Sequence, residues 1–226
     1  MKTYLLFVIA FLFYGITVAQ RPNTKSLEKF TQLKVYDRIV VSLIKSNENK
    51  LVITGDDKDE VKISQKDGLL KVKMEFDDFL DGNEAKATLY YTEELLLLDA
   101  NENGKIVSDE TFNGNKVDIK GQEGGVIDLK VSLNDVYVRA VSGSVITLSG
   151  TSRNQEVSVN TGGKAYNEDL NTTETEVTVM AGGRADVRAT DIVKAKVKAG
   201  GSIYIYGNPK SIEKDKVFGG KIEEIN

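Results

Sequence analysis

The residues that could carry chemistry in this 226-residue chain are carboxylates, lysines, arginines and tyrosines, because the sequence contains no Cys and no His. Without a thiol or an imidazole, the chain can form neither a cysteine nucleophile nor a Ser-His-Asp triad. It can hold no zinc ion on Cys or His ligands, so any metal site would have to be an oxygen cage of the calcium or magnesium type. Disulfides are excluded as well, and stability must come from packing and hydrogen bonds.

Two acidic clusters could supply paired carboxylates, the groups that hydrolyse glycosidic bonds. One runs from Asp56 to Glu60, and the other comprises Asp77, Asp78 and Asp81. Both follow stretches that resemble strands, so we interpret them as solvated turns. A calcium-binding roll is also disfavoured, because segment 181–186 lacks the third glycine of the G-G-x-G-x-D repeat and has an arginine in its place.

A third set of side chains recurs at fixed offsets in successive segments and could form a binding surface. We call this set the Tyr/Arg stripe, and it comprises Lys164, Tyr166, Arg184, Asp186, Ser202 and Tyr204, with Lys221 and Glu223 continuing the pattern. If the segments stack as strands, the columns rise by about 4.8 Å per segment. Such a stripe could bind an extended glycan, with sugar rings on the tyrosine faces, or another protein surface. The alternative is an ordinary polar outer face in which tyrosine serves strand propensity.

Pairs of small residues along the C-terminal half set the spacing of these side chains. The second members of the pairs, at intervals of 21, 19, 19, 20, 18 and 19 residues, are Gly104, Gly125, Ser144, Gly163, Gly183, Gly201 and Gly220. The position two residues after each of them is apolar. In the first six copies the positions six and four residues before it are also apolar or glycine, and the position between those two is polar. This alternation is typical of a strand with one buried face. Each repeat is therefore predicted to be a short strand, a glycine corner and a second short strand.

A repeat of about 19 residues is too short for a propeller blade or a helix pair and predicts one coil of a β-solenoid. We therefore predict an all-β, single-stranded parallel β-helix (β-solenoid), with a less regular β region in the N-terminal third. A β-sandwich is the alternative, but it has no reason to keep its corners in phase over six intervals. In the last copy Lys214 and Lys216 replace the inward apolar pair, which indicates a polar cap.

The first 19 residues have the three parts of a secretory signal peptide. Lys2 is followed by an apolar run from Tyr4 to Tyr14 and by small residues before Gln20. An uncleaved membrane anchor is the alternative, although the run is roughly half of the ~20 residues that a spanning helix needs. We predict cleavage after Ala19, a flexible leader over residues 20–29 and one domain over residues 30–226. The mature protein is then expected to stay out of the membrane and to reside in the periplasm, at the cell surface or outside the cell.

The sequence resembles the head GIN domain family of exported bacterial proteins. The resemblance lies in the apolar pattern of segments 30–35, 40–43, 51–56 and 66–72 and in the closing segments 197–203 and 206–209. It implies a β-helical fold, an adhesin-like role and no established enzymatic activity. Because no membrane-barrel pattern follows the repeats, we expect a passenger-like β-helix without the self-export part of an autotransporter.

Charge and connector length separate the remaining function classes. The formal net charge of −4 disfavours a nucleic-acid binder, which would carry a basic excess. We predict a non-enzymatic envelope or surface protein, an adhesin-like binding or scaffold module without a cofactor, whose partner is a glycan or an envelope or surface protein. The alternative is a polysaccharide lyase or hydrolase on the same scaffold, which would need long loops over carboxylates about 5 to 10 Å apart. The longest predicted polar connectors, residues 150–156 and 166–176, are short.

Overall fold

A computed structural model describes residues 22–75 and 85–225 and confirms the predicted β-solenoid. All the regular elements in these two ranges are β-strands, and no helix in them is long and apolar enough to cross a membrane. The predicted signal peptide and the acidic cluster at Asp77, Asp78 and Asp81 lie outside the described residues.

The strands become longest in the middle of the chain. In order they are β1 Asn23–Ser26, β2 Gln32–Val35, β3 Val40–Lys45, β4 Lys50–Thr54, β5 Val61–Lys66, β6 Leu69–Met74, β7 Lys86–Tyr91, β8 Leu97–Ala100, β9 Lys105–Val107, β10 Phe112–Asn113, β11 Lys116–Gly121, β12 Val126–Ala140, β13 Val145–Asn160, β14 Lys164–Met180, β15 Arg184–Arg188, β16 Ile192–Val197, β17 Ser202–Tyr206, β18 Ser211–Lys216 and β19 Lys221–Glu224.

Two ladders of paired strands enclose the core. The front face has the order β1, β4, β7, β3, β9, the first halves of β12, β13 and β14, then β15, β17 and β19. The back face has the order β5, β6, β2, β8, β11, the second halves of β12, β13 and β14, then β16 and β18. Pairing is parallel except for β1 with β4, β4 with β7 and β5 with β6, which confirms that the N-terminal region is less regular.

The glycine corners join the back face to the front face. At a typical corner Ser142 and Gly143 both have positive φ, 51° and 74°, and the Ser144 N–H donates to the Val141 carbonyl at 3.1 Å. Two consecutive left-handed residues make the tightest connection between strands, which favours glycine there. The second small residue has a different role, because a Cβ on Gly163 would lie 2.2 Å from the Ala140 carbonyl oxygen of the preceding coil. Close stacking on Ala140 thus requires glycine at residue 163.

The central coils are more continuous than the sequence predicts. The segments 150–156 and 166–176, predicted as polar loops, lie inside β13 and β14. Their inward side chains include polar residues that bond one another: Gln155 Nε2 donates to Thr175 Oγ1 at 3.2 Å, and both residues are buried. A satisfied buried polar group does not break a strand. Because the inward positions are not all apolar, alternation in the sequence underestimates the strand length.

One extra residue in β14 forms a bulge that the sequence pattern missed. The register between β13 and β14 shifts between Thr147 and Ser149. Asn167 is buried at this point, and its Oδ1 accepts a hydrogen bond from the Leu148 N–H at 3.2 Å. The side chain thereby supplies an acceptor where the ladder is interrupted. The bulge accounts for the 20-residue interval between Gly163 and Gly183, one residue more than the preceding interval of 19 residues.

Both ends of the described solenoid depart from the central pattern. Residues 23–26 lie in the predicted flexible leader but form β1, which pairs antiparallel with β4, so the leader prediction is wrong for these residues. Their polar sequence has no alternation that would reveal an edge strand. At the other end Lys214 and Lys216 lie opposite Ala195 and Val197, as the predicted cap requires. Nearly all of β18 is exposed.

Candidate binding surface

Strand register brings the six residues of the Tyr/Arg stripe together on the front face. The stripe lies on β14, β15 and β17, with Lys164 opposite Arg184 and Tyr166 opposite Asp186. Ser202 and Tyr204 continue the two columns, opposite Arg184 and Asp186 respectively. The stacking predicted from the repeat is therefore present in the structure.

Arg184 is the centre of the stripe. Its guanidinium carbon lies 5.5 Å from the ring centroid of Tyr166 and 4.6 Å from that of Tyr204, so the cation is held between two aromatic rings. Its Nε and Nη2 also donate to the two carboxylate oxygens of Asp186, at 2.8 and 2.7 Å. This bidentate pair and the two cation–π contacts hold the side chain in one conformation. The hydrogen bonds to Asp186 raise the pKa of Arg184 further above its ordinary value.

The Asp186 carboxylate is buried although its column faces outward. The residue is 2% exposed, whereas the Arg184 side chain is 45% exposed. The carboxylate therefore serves to position Arg184 and is not open to a ligand. Segment 181–186 gives no calcium roll, because the two oxygens that would coordinate the ion accept hydrogen bonds from Arg184.

The ring of Tyr204 has a cation on each side. Arg184 on β15 lies 4.6 Å from its centroid, and Lys221 on the opposite neighbour β19 lies 5.4 Å away. The expected stacking of sugar rings on open tyrosine faces is thus wrong for this residue. What the stripe offers instead is hydrogen-bonding groups: the phenol hydroxyls, the exposed part of the guanidinium and the Lys164 ammonium.

Three residues that the sequence analysis missed form a further column beside the stripe. Glu168, Arg188 and Tyr206 each lie five residues after the second small residue of a corner. The Arg188 guanidinium lies 5.9 Å from the Tyr206 centroid, and its Nε donates to the Glu168 carbonyl at 2.5 Å. Desolvation and the nearby Asp186 carboxylate raise the pKa of Tyr206 above its ordinary value. The alternation of Tyr204 and Tyr206 in the sequence was the available signal.

The other sequence-based candidates bring no comparable constellation together. The cluster from Asp56 to Glu60 occupies the turn between β4 and β5, as predicted. Across residues 22–75 and 85–225, no group of three or more acidic side chains is placed to hold a metal ion.

The structure is thus of the β-solenoid class, with tight corners and an ordered, partly exposed stripe of tyrosines and cations on its front face. Within that class the chain belongs to the family described as "Putative auto-transporter adhesin, head GIN domain", whose model matches residues 29–209. The resemblance noted in the sequence is thereby confirmed.

Solved structures share the fold over nearly the whole chain. A "putative adhesin" from Bacteroides fragilis is 18% identical, with a TM-score of 0.81 over 90% of this chain and 96% of that one. A "putative lipid binding protein" from Parabacteroides distasonis is 18% identical, with a TM-score of 0.70 over 92% and 98%. A "putative adhesin" from Parabacteroides merdae is 15% identical, with a TM-score of 0.70 over 92% and 98%. These identities establish the fold alone, and no protein of curated function matches the sequence.

Proposed function

We propose that this protein is an exported, non-enzymatic, adhesin-like module that binds a glycan along the Tyr/Arg stripe. The observation that carries the proposal is the Arg184 side chain, fixed by Asp186 and by two tyrosine rings yet partly open to solvent. Family membership supports an adhesin-like role, and the N-terminal signal-peptide pattern supports export to the periplasm or the cell surface.

Pre-organisation is what the stripe contributes to binding. A side chain that is already held in one conformation loses little rotamer entropy when a ligand arrives. The remaining guanidinium N–H groups and the phenol hydroxyls can then bond the hydroxyl oxygens of successive sugars. Tyr166 and Tyr204 lie two strand spacings apart, or about 9.6 Å, so the contacts suit an extended chain of sugars.

Hydrolysis of the bound glycan is not part of the proposal. The carboxylate within the six-residue stripe, Asp186, has both oxygens bonded to Arg184 and is buried. A glycosidase needs one carboxyl group as proton donor and a second as base or nucleophile, both within reach of the bond. The tight corners also leave no long loop to close over the face in residues 97–225.

The test is a glycan-array and envelope-polysaccharide binding screen on the chain purified without residues 1–19. The Tyr166→Ala/Tyr204→Ala variant is expected to lose at least about tenfold in affinity, because it removes both ring contacts of Arg184. Tyr137→Ala is the matched control, since Lys116 Nζ lies 4.3 Å from that ring on the back face. Release of shortened glycans would overturn the non-enzymatic assignment. Capture of an envelope protein with no glycan binding would replace the glycan with a protein partner.

A further inference from the structure

The pairing of strands on the back face places cations directly opposite one another. Lys34 on β2 faces Lys71 on β6, and Lys73 on β6 faces Lys62 on β5. A third pair, on β11 and β12, is Lys120 with Arg139. We call these six residues the basic patch: Lys34, Lys62, Lys71, Lys73, Lys120 and Arg139. Like charges directly opposite each other destabilise a sheet, so their presence in three pairs requires an explanation.

The same face avoids such pairs in its last coils. Lys194 on β16 lies opposite Glu213 on β18, and Lys196 lies opposite Asp215 and forms a salt bridge with it. The fold therefore accommodates complementary pairs at equivalent outward positions. The basic patch is therefore a local concentration of positive charge on a protein whose formal net charge is −4.

Three carboxylates partly compensate the patch. Asp99, which is 1% exposed, lies 3.0 Å from Lys34 Nζ and also accepts a hydrogen bond from Asn101. Asp118 lies 3.6 Å from Lys120, and Glu75 lies 3.7 Å from Lys62. Within the described ranges, no carboxylate forms a salt bridge with the other three cations of the patch. The back face of these strands thus holds an excess of positive charge.

Four of the six cations of the basic patch lie in one line across the strands. Lys71, Lys34, Asp99, Lys120 and Arg139 occupy one column on five adjacent strands. Four strand spacings of about 4.8 Å give the column a length of about 19 Å along the solenoid axis. A line of cations of this length matches a linear polymer with regularly spaced negative groups better than a compact anion.

We propose that the basic patch binds an extended anionic polysaccharide, which lies along the solenoid axis on the back face. Carboxylate or sulfate groups on successive sugars would neutralise the two opposed cation pairs of this column, and Lys62 and Lys73 lie beside its β6 end. This site is separate from the Tyr/Arg stripe on the front face, and neither proposal depends on the other. A protein with both surfaces could join two polysaccharides of different charge.

Binding to polygalacturonate and to dextran sulfate tests the proposal, with uncharged dextran as the reference polymer. The wild-type chain is expected to bind at least one charged polymer and not the uncharged one. Affinity should fall at least tenfold between about 50 and about 200 mM NaCl, because each contact releases counterions. The Lys71→Gln/Lys73→Gln/Arg139→Gln variant should lose at least tenfold in affinity. Its melting temperature should be unchanged or higher, because like-charge repulsion is relieved.

The control variant carries Lys194→Gln/Lys196→Gln/Lys198→Gln, which removes the same charge from a later part of the same face and should bind within about twofold of wild type. An equal loss in both variants would show nonspecific attraction and overturn the proposal. No binding to either charged polymer at low salt would also overturn it, as would binding only to single-stranded DNA or to phosphatidylglycerol vesicles. The Tyr166→Ala/Tyr204→Ala variant must keep its affinity for the charged polymer, which distinguishes this site from the stripe.

Discussion

At most stacked corners a residue with a Cβ in one coil contacts a glycine in the next coil. Gly121 and Ser144 reverse this order. Elsewhere a residue with a Cβ in one coil packs under a glycine in the next, in the pairs Ala100–Gly125, Ala140–Gly163, Val159–Gly183, Val179–Gly201 and Val197–Gly220. Here the glycine comes first and the serine second. Ser144 is fully buried, and its Oγ donates to the Gly121 carbonyl at 2.8 Å.

Substitution of either residue alone should destabilise the stack. In Gly121→Ala the new Cβ would lie 2.9 Å from Ser144 Cβ and 3.0 Å from its Oγ, and such overpacking costs about 1–3 kcal/mol. Ser144→Gly loses a buried hydrogen bond, about 1 kcal/mol, and adds the backbone entropy of a glycine, about 0.5–1 kcal/mol. The double variant recreates the Ala140–Gly163 arrangement, so it should lie only about 1 kcal/mol below wild type. The two single costs add up to about 2.5–5 kcal/mol, so the predicted coupling free energy is about 1.5–4 kcal/mol.

Urea denaturation of the four proteins, followed by far-UV circular dichroism, measures this cycle. The control is Gly143→Ala, where φ is 74° and no atom lies within 4 Å of the added Cβ. Its cost comes from backbone strain, so Ser144→Gly should not rescue it. Additivity of Gly121→Ala and Ser144→Gly within about 0.5 kcal/mol would refute the reasoning.

Three further predictions follow from buried or terminal charges. Burial raises the pKa of Tyr91 from 10.0 to about 12, so stability that is complete below about pH 10 should decline toward pH 12, by about 2–3 kcal/mol in full. In Tyr91→Phe the free energy of unfolding, measured by urea titration, should fall less between about pH 9 and about pH 11 than in the wild type. An equal fall in both proteins would contradict the assignment of this decline to Tyr91. Asp186→Asn should lower the free energy of unfolding by about 1–2 kcal/mol, less than a fully buried pair would lose because Arg184 is 45% exposed. An unchanged thermal midpoint would show that the pair is dispensable. Replacement of Lys214 and Lys216 by valine should expose an apolar coil end and cause concentration-dependent association in sedimentation velocity, whereas a monomer at all concentrations would show that the lysines are not a cap.

The repeat predicted the solenoid and the stacking of the stripe, because glycine corners and inward apolar residues leave a period that is visible in the sequence. It did not predict the length of β13 and β14, whose inward positions include Gln155 and Thr175. It also missed the burial of Asp186, since an outward position on a strand is covered or open depending on its neighbours. Such burial is decided by which side chains lie in adjacent coils, and alternation within one coil contains no information about them.

Distance from the corner explains which columns the sequence could predict. Each corner is stacked on the next by backbone hydrogen bonds, such as Val145 N–H to the Gly125 carbonyl at 3.0 Å and Lys164 N–H to the Ser144 carbonyl at 2.9 Å. The register is thereby restored once per coil, and an inserted residue such as the bulge at Asn167 affects only the remainder of its own coil.

Residues within about three positions of a corner therefore align whenever the corners align. The Tyr/Arg stripe, one and three residues after the second small residue of each corner, falls in this zone. The column of Glu168, Arg188 and Tyr206 lies five residues after it, where the bulge shifts β14 against β13 but β14, β15 and β17 stay in register with one another. Because the corners constrain the inside of every coil in the same way, differences between coils are free to accumulate on the outer faces. The opposed cations of the back face and the caged arginine of the front face are such differences, and it is there that binding specificity can reside.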